Sequence, residues 1–348
     1  MDAKRSNVSE RLLAWYDAHR RDLPWRSGPG ERADPYRVWL SEVMLQQTTV
    51  AAVRPRFVAW TARWPEVESL AAAEDADVMA AWAGLGYYAR ARNLVKAARA
   101  VVARGGFPRT EAELRQLPGL GDYTAAAVAA IAFGERAVVV DANVERVVAR
   151  LFAIDTPLPG ARRVIRAAAD VITPDMRAGD FAQAMMDLGA TICSPRAPRC
   201  LLCPVRAMCD GLAQGSPERL PVKAAKKARP QRHGTIFWLE REGRVWLVRR
   251  PPEGLLGGMR ALPTGPWVED APGLADAPAD ADWAMLDATA RHGFTHFDIA
   301  LALAVATGEP IGPERERGEW WPVADLDAAG LPTLFTKAAK AVLSERHA

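Results

Sequence analysis

Residues 117–148 read LPGLGDYTAAAVAAIAFGERAVVVDANVERVV. The segment opens on a Pro118-Gly119-Leu120-Gly121 turn between two helical patterns. Glycine lets a backbone bend tightly and come close to another surface, so Gly119 and Gly121 free this turn to approach a phosphate. The helix that follows offers unpaired N–H groups and the positive end of its dipole. The same turn also suits a plain helix–helix connection. Further on, the apolar run Ala137 to Val140 is too short to read as a strand among helical neighbours. Asp141 stands where a helix N-cap belongs, since a helical stretch follows it.

Outward from this segment, Glu10 to about Leu212 reads as helix after helix. Leu12, Leu13, Trp15 and Tyr16 mark one apolar face, Val95, Ala98 and Val102 another. Thr110 followed by Glu113 forms a capping box for a helix ending near Leu117. From Gly215 to Arg232 the pattern lapses into GSPERLPVKAAKKARPQR. Its basic residues Arg219, Lys223, Lys226, Lys227, Arg229 and Arg232 face the single acid Glu218, which reads as an exposed linker. After it the texture changes. Thr235 to Leu239 and Val245 to Arg249 are strand-like and joined by a polar turn, Phe297 to Val305 is another strand, and LPTLFTKAAKAVL from Leu331 has helical spacing. Ala271 to Asp282 reads as a loose loop. The expected organisation is an all-α domain over 1–214, a basic linker over 215–232 and a small α+β domain over 233–348.

The chain has 348 residues, 49% of them hydrophobic, enough for two packed cores. Its amino terminus, MDAKRSNVSERLL, has no apolar signal core, and no stretch is a charge-free run of membrane length. A soluble intracellular protein is expected. A formal net charge of +3 permits a nucleic-acid partner without demanding one.

The four cysteines, Cys193, Cys200, Cys203 and Cys209, lie in one short loop. A disulfide framework would spread across the fold, whereas this clustering suits a metal centre. Structural zinc sites pair two Cys-x-x-Cys knuckles, and only the middle pair here is that close. A four-thiolate 4Fe-4S cluster is the better match, with zinc as the alternative.

The cysteine spacing, the hairpin and the placement of Asp141 together resemble the endonuclease III and MutY DNA glycosylases of the helix-hairpin-helix superfamily. WLSEVMLQQT, from Trp39, resembles the catalytic helix of the MutY family. The resemblance implies that Glu42 protonates adenine at N7 and then activates water. An adenine is a poor leaving group until a ring nitrogen is protonated, and Trp39, Leu40, Val43, Met44 and Leu45 supply the apolar setting in which a glutamate keeps its proton. It implies that Asp141 sits against the sugar of the flipped nucleotide and offsets oxocarbenium charge, with Tyr123 and Asn143 supporting Asp141 by hydrogen bonds. At Tyr123 the endonuclease III type carries a lysine that forms a Schiff base, and a tyrosine cannot, so a monofunctional enzyme follows. It further implies phosphate contacts from Arg196 and Arg199 and from the Gly119–Gly121 turn, a DNA-binding place for Arg26 in the PWR motif, and a wedge beside the orphan base made by Gln47, Leu85 and Tyr87. Two departures stand out: RSGPGERADPY is lengthened before Pro35, and Glu145 occupies a place where many relatives carry a basic residue.

GLLGGMRALPT, HGFTHFDIALAL, EWWPVADL and LPTLFTKAAKAVL resemble, in order, the Nudix-like carboxy-terminal domain of the same family. No Arg-Glu-x-x-Glu-Glu pattern lies between Leu262 and Phe297, so pyrophosphatase chemistry is not expected. Phe294, Thr295 and His296 match the Phe-Ser-His element with which the family reads 8-oxoguanine. The implied protein is a monomeric cytoplasmic, nucleoid-associated enzyme of bacterial type that acts on double-stranded DNA with A:8-oxoG or A:G mispairs, meets repair proteins through its linker and has no membrane partner. An endonuclease III-like glycosylase/lyase for oxidised pyrimidines is the nearest alternative, opposed by Tyr123, Glu42 and the second domain. A non-catalytic DNA-binding module on the same scaffold is the other.

Overall fold

The computed structural model describes residues 2–28, 31–82, 84–224, 228–251, 254–294, 296–311 and 318–346. They fall into two compact units, divided after residue 225. Among the described residues no helix is long and apolar enough to cross a membrane.

The first unit is helical: α1 Asp2–His19, α2 Pro35–Leu45, α3 Val50–Arg63, α4 Val67–Ala71, α5 Asp75–Ala81, α6 Tyr88–Ala103, α7 Glu111–Leu114, α8 Asp122–Phe133, α9 Ala142–Leu151, α10 Arg162–Ile172, α11 Ala178–Thr191 and α12 Asp210–Ala213. Helix α8 is its axis. Its run of alanines is buried almost throughout, and such small side chains let α2 and α11 pack closely on it. Two apolar cores result. One gathers Trp39, Phe57, Trp60 and Trp82 with the α8 alanines; the other gathers Leu12, Tyr16, Val148, Ile165, Phe181 and Leu188. Met186 packs against both.

The hairpin is formed by α7 and α8. Thr110 caps α7 as expected, its Oγ1 accepting from the Glu113 N–H at 3.3 Å, but the helix ends at Leu114, before the turn. Residues 137–140 form no regular structure, and Ala137, Val138 and Val139 are buried.

The basic stretch is divided by the structure. Pro217–Arg219 makes a single 3-10 turn, Leu220 is buried and the Leu158 N–H donates to Val222 O at 2.9 Å, so residues 215–224 lie on the first unit. The apolar side chains of Leu220 and Val222 account for this.

The second unit is a mixed sheet with one long helix. β1 Gln231–Arg241 and β2 Arg244–Arg249 form the expected hairpin, turning at Glu242 and Gly243, both at positive φ, the combination that matches strand twist. β5 Asp298–Thr307 runs parallel to β1, with β4 Ala284–Gly293 antiparallel on its far side. β3 Arg260–Ala261 and β6 Gly318–Pro322 both pair with β2, giving the order β3-β2-β1-β5-β4 with β6 off that path. Helix α13 Thr333–Arg346 packs on β4. Ile236, Trp238, Leu247, Leu301, Leu303 and Phe335 fill the core.

Candidate active site

Helix α2 starts at a strong boundary: the Asp34 side chain accepts the Tyr36 N–H at 2.8 Å and Pro35 occupies the first turn. It is buried from Val38 to Met44 on nearly every side, which leaves Glu42 only 7% exposed in an apolar helix. The Tyr123 hydroxyl, in the first turn of α8, donates to Glu42 Oε2 at 2.5 Å. Burial pushes the Glu42 carboxyl up to about 7; the Tyr123 hydrogen bond and Arg26 pull it down, and Asp141 adds to the rise. Burial, with Glu42 and Asp141 beside it, also raises the Tyr123 phenol well above its ordinary range, so it stays a donor. Asp141 thus lies close enough to act electrostatically on both partners. The three side chains share one neighbourhood although α2, α8 and α9 bring them from distant parts of the chain.

Asp141 is the N-cap of α9. Oδ1 accepts the Val144 N–H at 2.7 Å and Oδ2 accepts from the Asn143 amide at 2.8 Å, so the cap itself fixes the orientation of the carboxylate. Asn143 supports Asp141 as expected. Tyr123 does not; its hydroxyl is committed to Glu42, because α8 places it over α2.

Arg26 overturns an expectation. It faces inward, 9% exposed, and grips the fully buried Asp187 of α11 with Nη1 to Oδ2 at 2.6 Å and Nη2 to Oδ1 at 2.7 Å. Arg21 joins the same carboxylate through Nε at 2.6 Å and its backbone N–H at 3.1 Å. A guanidinium so engaged is not free to meet a phosphate. Burial alone would raise the Asp187 carboxyl, but the two arginines hold it below the usual range. Asp187 and Arg21 went unnoticed in the sequence, where a single Asp in MMDLG carries no local signal. Arg21, Arg26, Glu42, Gln183 and Met186 line one cavity of about 40 Å³, room for water-sized groups only.

The hairpin turn forms one side of a separate groove of about 300 Å³, with Gln46, Gln47, Tyr87, Arg90 and Asn93 opposite. Gly119 is required there twice: its φ is +77°, and a Cβ would meet Asn93 Cβ at 2.6 Å. Gly121 precedes α8 as its N-cap, without a side chain to occupy the free N–H groups. Gln47 and Tyr87 are exposed and both in the left-handed region, at φ 58° and 50°. Arg90 ties their two segments together, donating to Gln46 O at 2.6 Å while its guanidinium lies 5.1 Å from the Tyr87 ring centre. Leu85 corrects the expected wedge: it is 5% exposed and belongs to the first core. GLGYY carries no mark that distinguishes a packed leucine from a protruding one.

All four cysteines line one cavity with Arg150 and Arg206 at its wall. Among the described residues no three Cys, His, Asp or Glu converge as donors to a single metal ion. Arg150, 2% exposed, anchors the loop: it donates to Ser194 O at 2.7 Å, to Leu220 O and Pro195 O at 3.0 Å, and to Cys193 Sγ at 3.4 Å. Burial pushes Cys203 up to about 11, and Cys200 and Cys209 upward as well, with the neighbouring sulfurs adding to it. Arg146 spans from this loop to the carboxylate site, donating to Cys193 O and Gly189 O at 2.8 Å and to Asn143 Oδ1 at 3.0 Å. Gly189 makes that approach possible, since a Cβ would meet Asn143 Cβ at 2.6 Å. Arg196 and Arg199 are exposed, Arg199 also donating to Thr191 O. Glu145 pairs with Arg162 at 3.4 Å.

In the second unit Phe294 is half-buried in an aromatic cluster with His292, Trp267 and Phe297, ring centres 4.7, 5.6 and 5.0 Å away, and His296 is exposed. Thr295 lies outside the described residues.

Comparison with known proteins accords with this division. Residues 40–174 match the HhH-GPD superfamily of base excision DNA repair proteins, and residues 235–341 match the NUDIX domain. The chain is 38% identical over 310 residues to the human adenine DNA glycosylase, covering 74% of this chain and 57% of that one. It is 35% identical over 246 residues to the adenine DNA glycosylase of Buchnera aphidicola subsp. Acyrthosiphon pisum, covering 69% of each. A solved thermostable thymine-DNA glycosylase superposes with a TM-score of 0.54 at 30% identity, over 61% of this chain and 98% of that one. The chain spans 46 to 60% of the length of the mammalian and plant relatives it matches. On these matches the chain belongs to the HhH-GPD superfamily and, within it, to the adenine DNA glycosylase (MutY) family.

Proposed function

We propose that this protein is a monofunctional DNA glycosylase that flips and excises adenine mispaired with 8-oxoguanine or guanine in double-stranded DNA. The observation that carries the reading is the pairing of two carboxyls in opposite settings beside one another: Glu42, dry and holding its proton to about 7, and Asp141, fixed as an acceptor at a helix N-terminus. Glu42 is suited to give a proton to a ring nitrogen of the everted adenine and then to orient water. Asp141 is suited to offset the charge that grows at C1′ as the N-glycosidic bond breaks. Tyr123 supplies no amine, so no Schiff base forms and the product is an abasic site. The N–H groups after Gly119 and Gly121 and the exposed Arg196 and Arg199 would meet phosphates, and Gln47 with Tyr87 would fill the stack vacated by the base.

Cys193, Cys200, Cys203 and Cys209 would hold a 4Fe-4S cluster. Four thiols around a shared cavity, with cationic Arg150 against Cys193 and Arg206 at its wall, fit such an anionic centre. When bound, the cluster supplies a rigid metal–sulfide core that cross-links the loop. We assign catalysis to residues 1–214, the basic stretch 215–232 to repair-protein contact, and the reading of 8-oxoguanine to 233–348 through Phe294, Thr295 and His296. A glycosylase assay on duplexes carrying A:8-oxoG, A:G, A:T and thymine glycol tests the reading. Adenine release from the first two is expected; release of thymine glycol with strand cleavage would overturn it.

A further inference from the structure

Asp187 is a carboxylate with no exposure at all, deep in α11, tied to two arginines. Buried ionic groups of this kind seldom stabilise a fold more than apolar packing would, because desolvation costs as much as the attraction returns. Its position explains its presence better. Arg26, which it grips, lines the Glu42 cavity, and a buried guanidinium beside a carboxyl favours loss of that carboxyl's proton.

We propose that Asp187 is a positioning residue for proton transfer at Glu42: by neutralising Arg26 through two parallel hydrogen bonds, it keeps a guanidinium charge from drawing the proton off the neighbouring carboxyl. The charged and titratable groups that face Glu42 can be named element by element. The segment after α1 gives Arg21 and Arg26, α8 gives Tyr123 and the start of α9 gives Asp141, while Asp187 of α11 stands behind the two arginines. Arg26 is the buried cation among them; Arg21 keeps 27% of its side chain exposed and is screened by water. Asp187 meets Arg26 through two hydrogen bonds, at 2.6 and 2.7 Å, so most of the guanidinium charge is offset where it stands and only a residual downward pull on Glu42 remains. The role acts through Arg26 and rests on the reading of Glu42 as general acid.

The test is a carbon-13 NMR titration of the full chain without DNA, labelled at glutamate carboxyls, with the Glu42 signal identified by its loss in Glu42→Gln. Asp187→Asn is expected to lower the Glu42 midpoint by about one pH unit and Arg26→Gln to raise it by about as much. The double variant Arg26→Gln/Asp187→Asn, in which both charges are gone, should return close to the wild-type midpoint. A merely structural role does not predict that rescue. If Asp187→Asn does not fold, the comparison of Arg26→Gln with the double variant still decides. A midpoint equal in all variants, or one raised by Asp187→Asn, overturns the proposal. The pH profile of single-turnover adenine release, measured in parallel, should follow the same shifts. Titration shifts with an unmoved release profile would retain the electrostatic link and overturn the general-acid role of Glu42.

Discussion

Glu42 and Asp141 carry the same functional group in opposite surroundings. Glu42 lies mid-helix between apolar neighbours with one hydrogen bond, from Tyr123, whereas Asp141 precedes α9 with both oxygens filled by N–H donors and the dipole of a helix behind them. One environment favours the neutral acid; the other offers N–H donors to both carboxylate oxygens. The difference teaches that two chemically distinct tools need no distinct residue types, only a helix interior for one and a helix start for the other.

The comparison breaks most visibly at Asp141. Asp141→Asn preserves a good N-cap, so the fold should persist and mispair binding remain, while single-turnover adenine release falls by about 10³-fold or more. Release within about tenfold of wild type would mean the carboxylate is only a cap. At Glu42, Glu42→Gln should lower release by about 10²-fold or more with binding retained. It should also stabilise the protein in a pH-dependent way. Folding raises the Glu42 value from 4.5 to about 7, so the folded state holds the proton more tightly. That contribution is complete below 4.5 and is lost as pH rises through 7. Glu42→Gln should therefore match wild type at low pH and gain up to about 2–3 kcal/mol above 7, read from urea unfolding at both ends. A gain at low pH instead would contradict the sign.

Smaller effects sharpen the comparison by separating DNA contacts from the carboxylate machinery. Tyr87→Ala should weaken mispair binding by about tenfold, the worth of one stacked base, with the pH profile of release unchanged. Arg26→Gln should leave the salt dependence of DNA affinity as it was, because its guanidinium meets Asp187 and no phosphate; a shallower slope would restore the role expected of it from the sequence.

What the sequence made legible was local. The Gly119–Gly121 turn, the cap at Asp141 and the cysteine spacing are each read within a few residues, as is the β1–β2 turn. Glu42 was legible only through resemblance, because its burial is made by α8 and α11, and its partner Tyr123 lies 81 positions away. The ion pair that claims Arg26 spans 161 positions, and nothing local distinguishes that arginine from a phosphate contact. Strand β4 escaped notice for a related reason. Its less exposed positions alternate as a strand's should, but they are Leu286, Ala288, Ala290 and His292, of which only Ala290 is buried and only Leu286 is strongly apolar, so the alternation is faint in the sequence.

The pH dependence of single-turnover adenine release from an A:8-oxoG duplex tests the central claim most directly. With Glu42 delivering the proton, the rate should hold below about pH 7 and fall about tenfold per pH unit above it. A rate that stays level or climbs through that range would mean that the buried glutamate is not the acid.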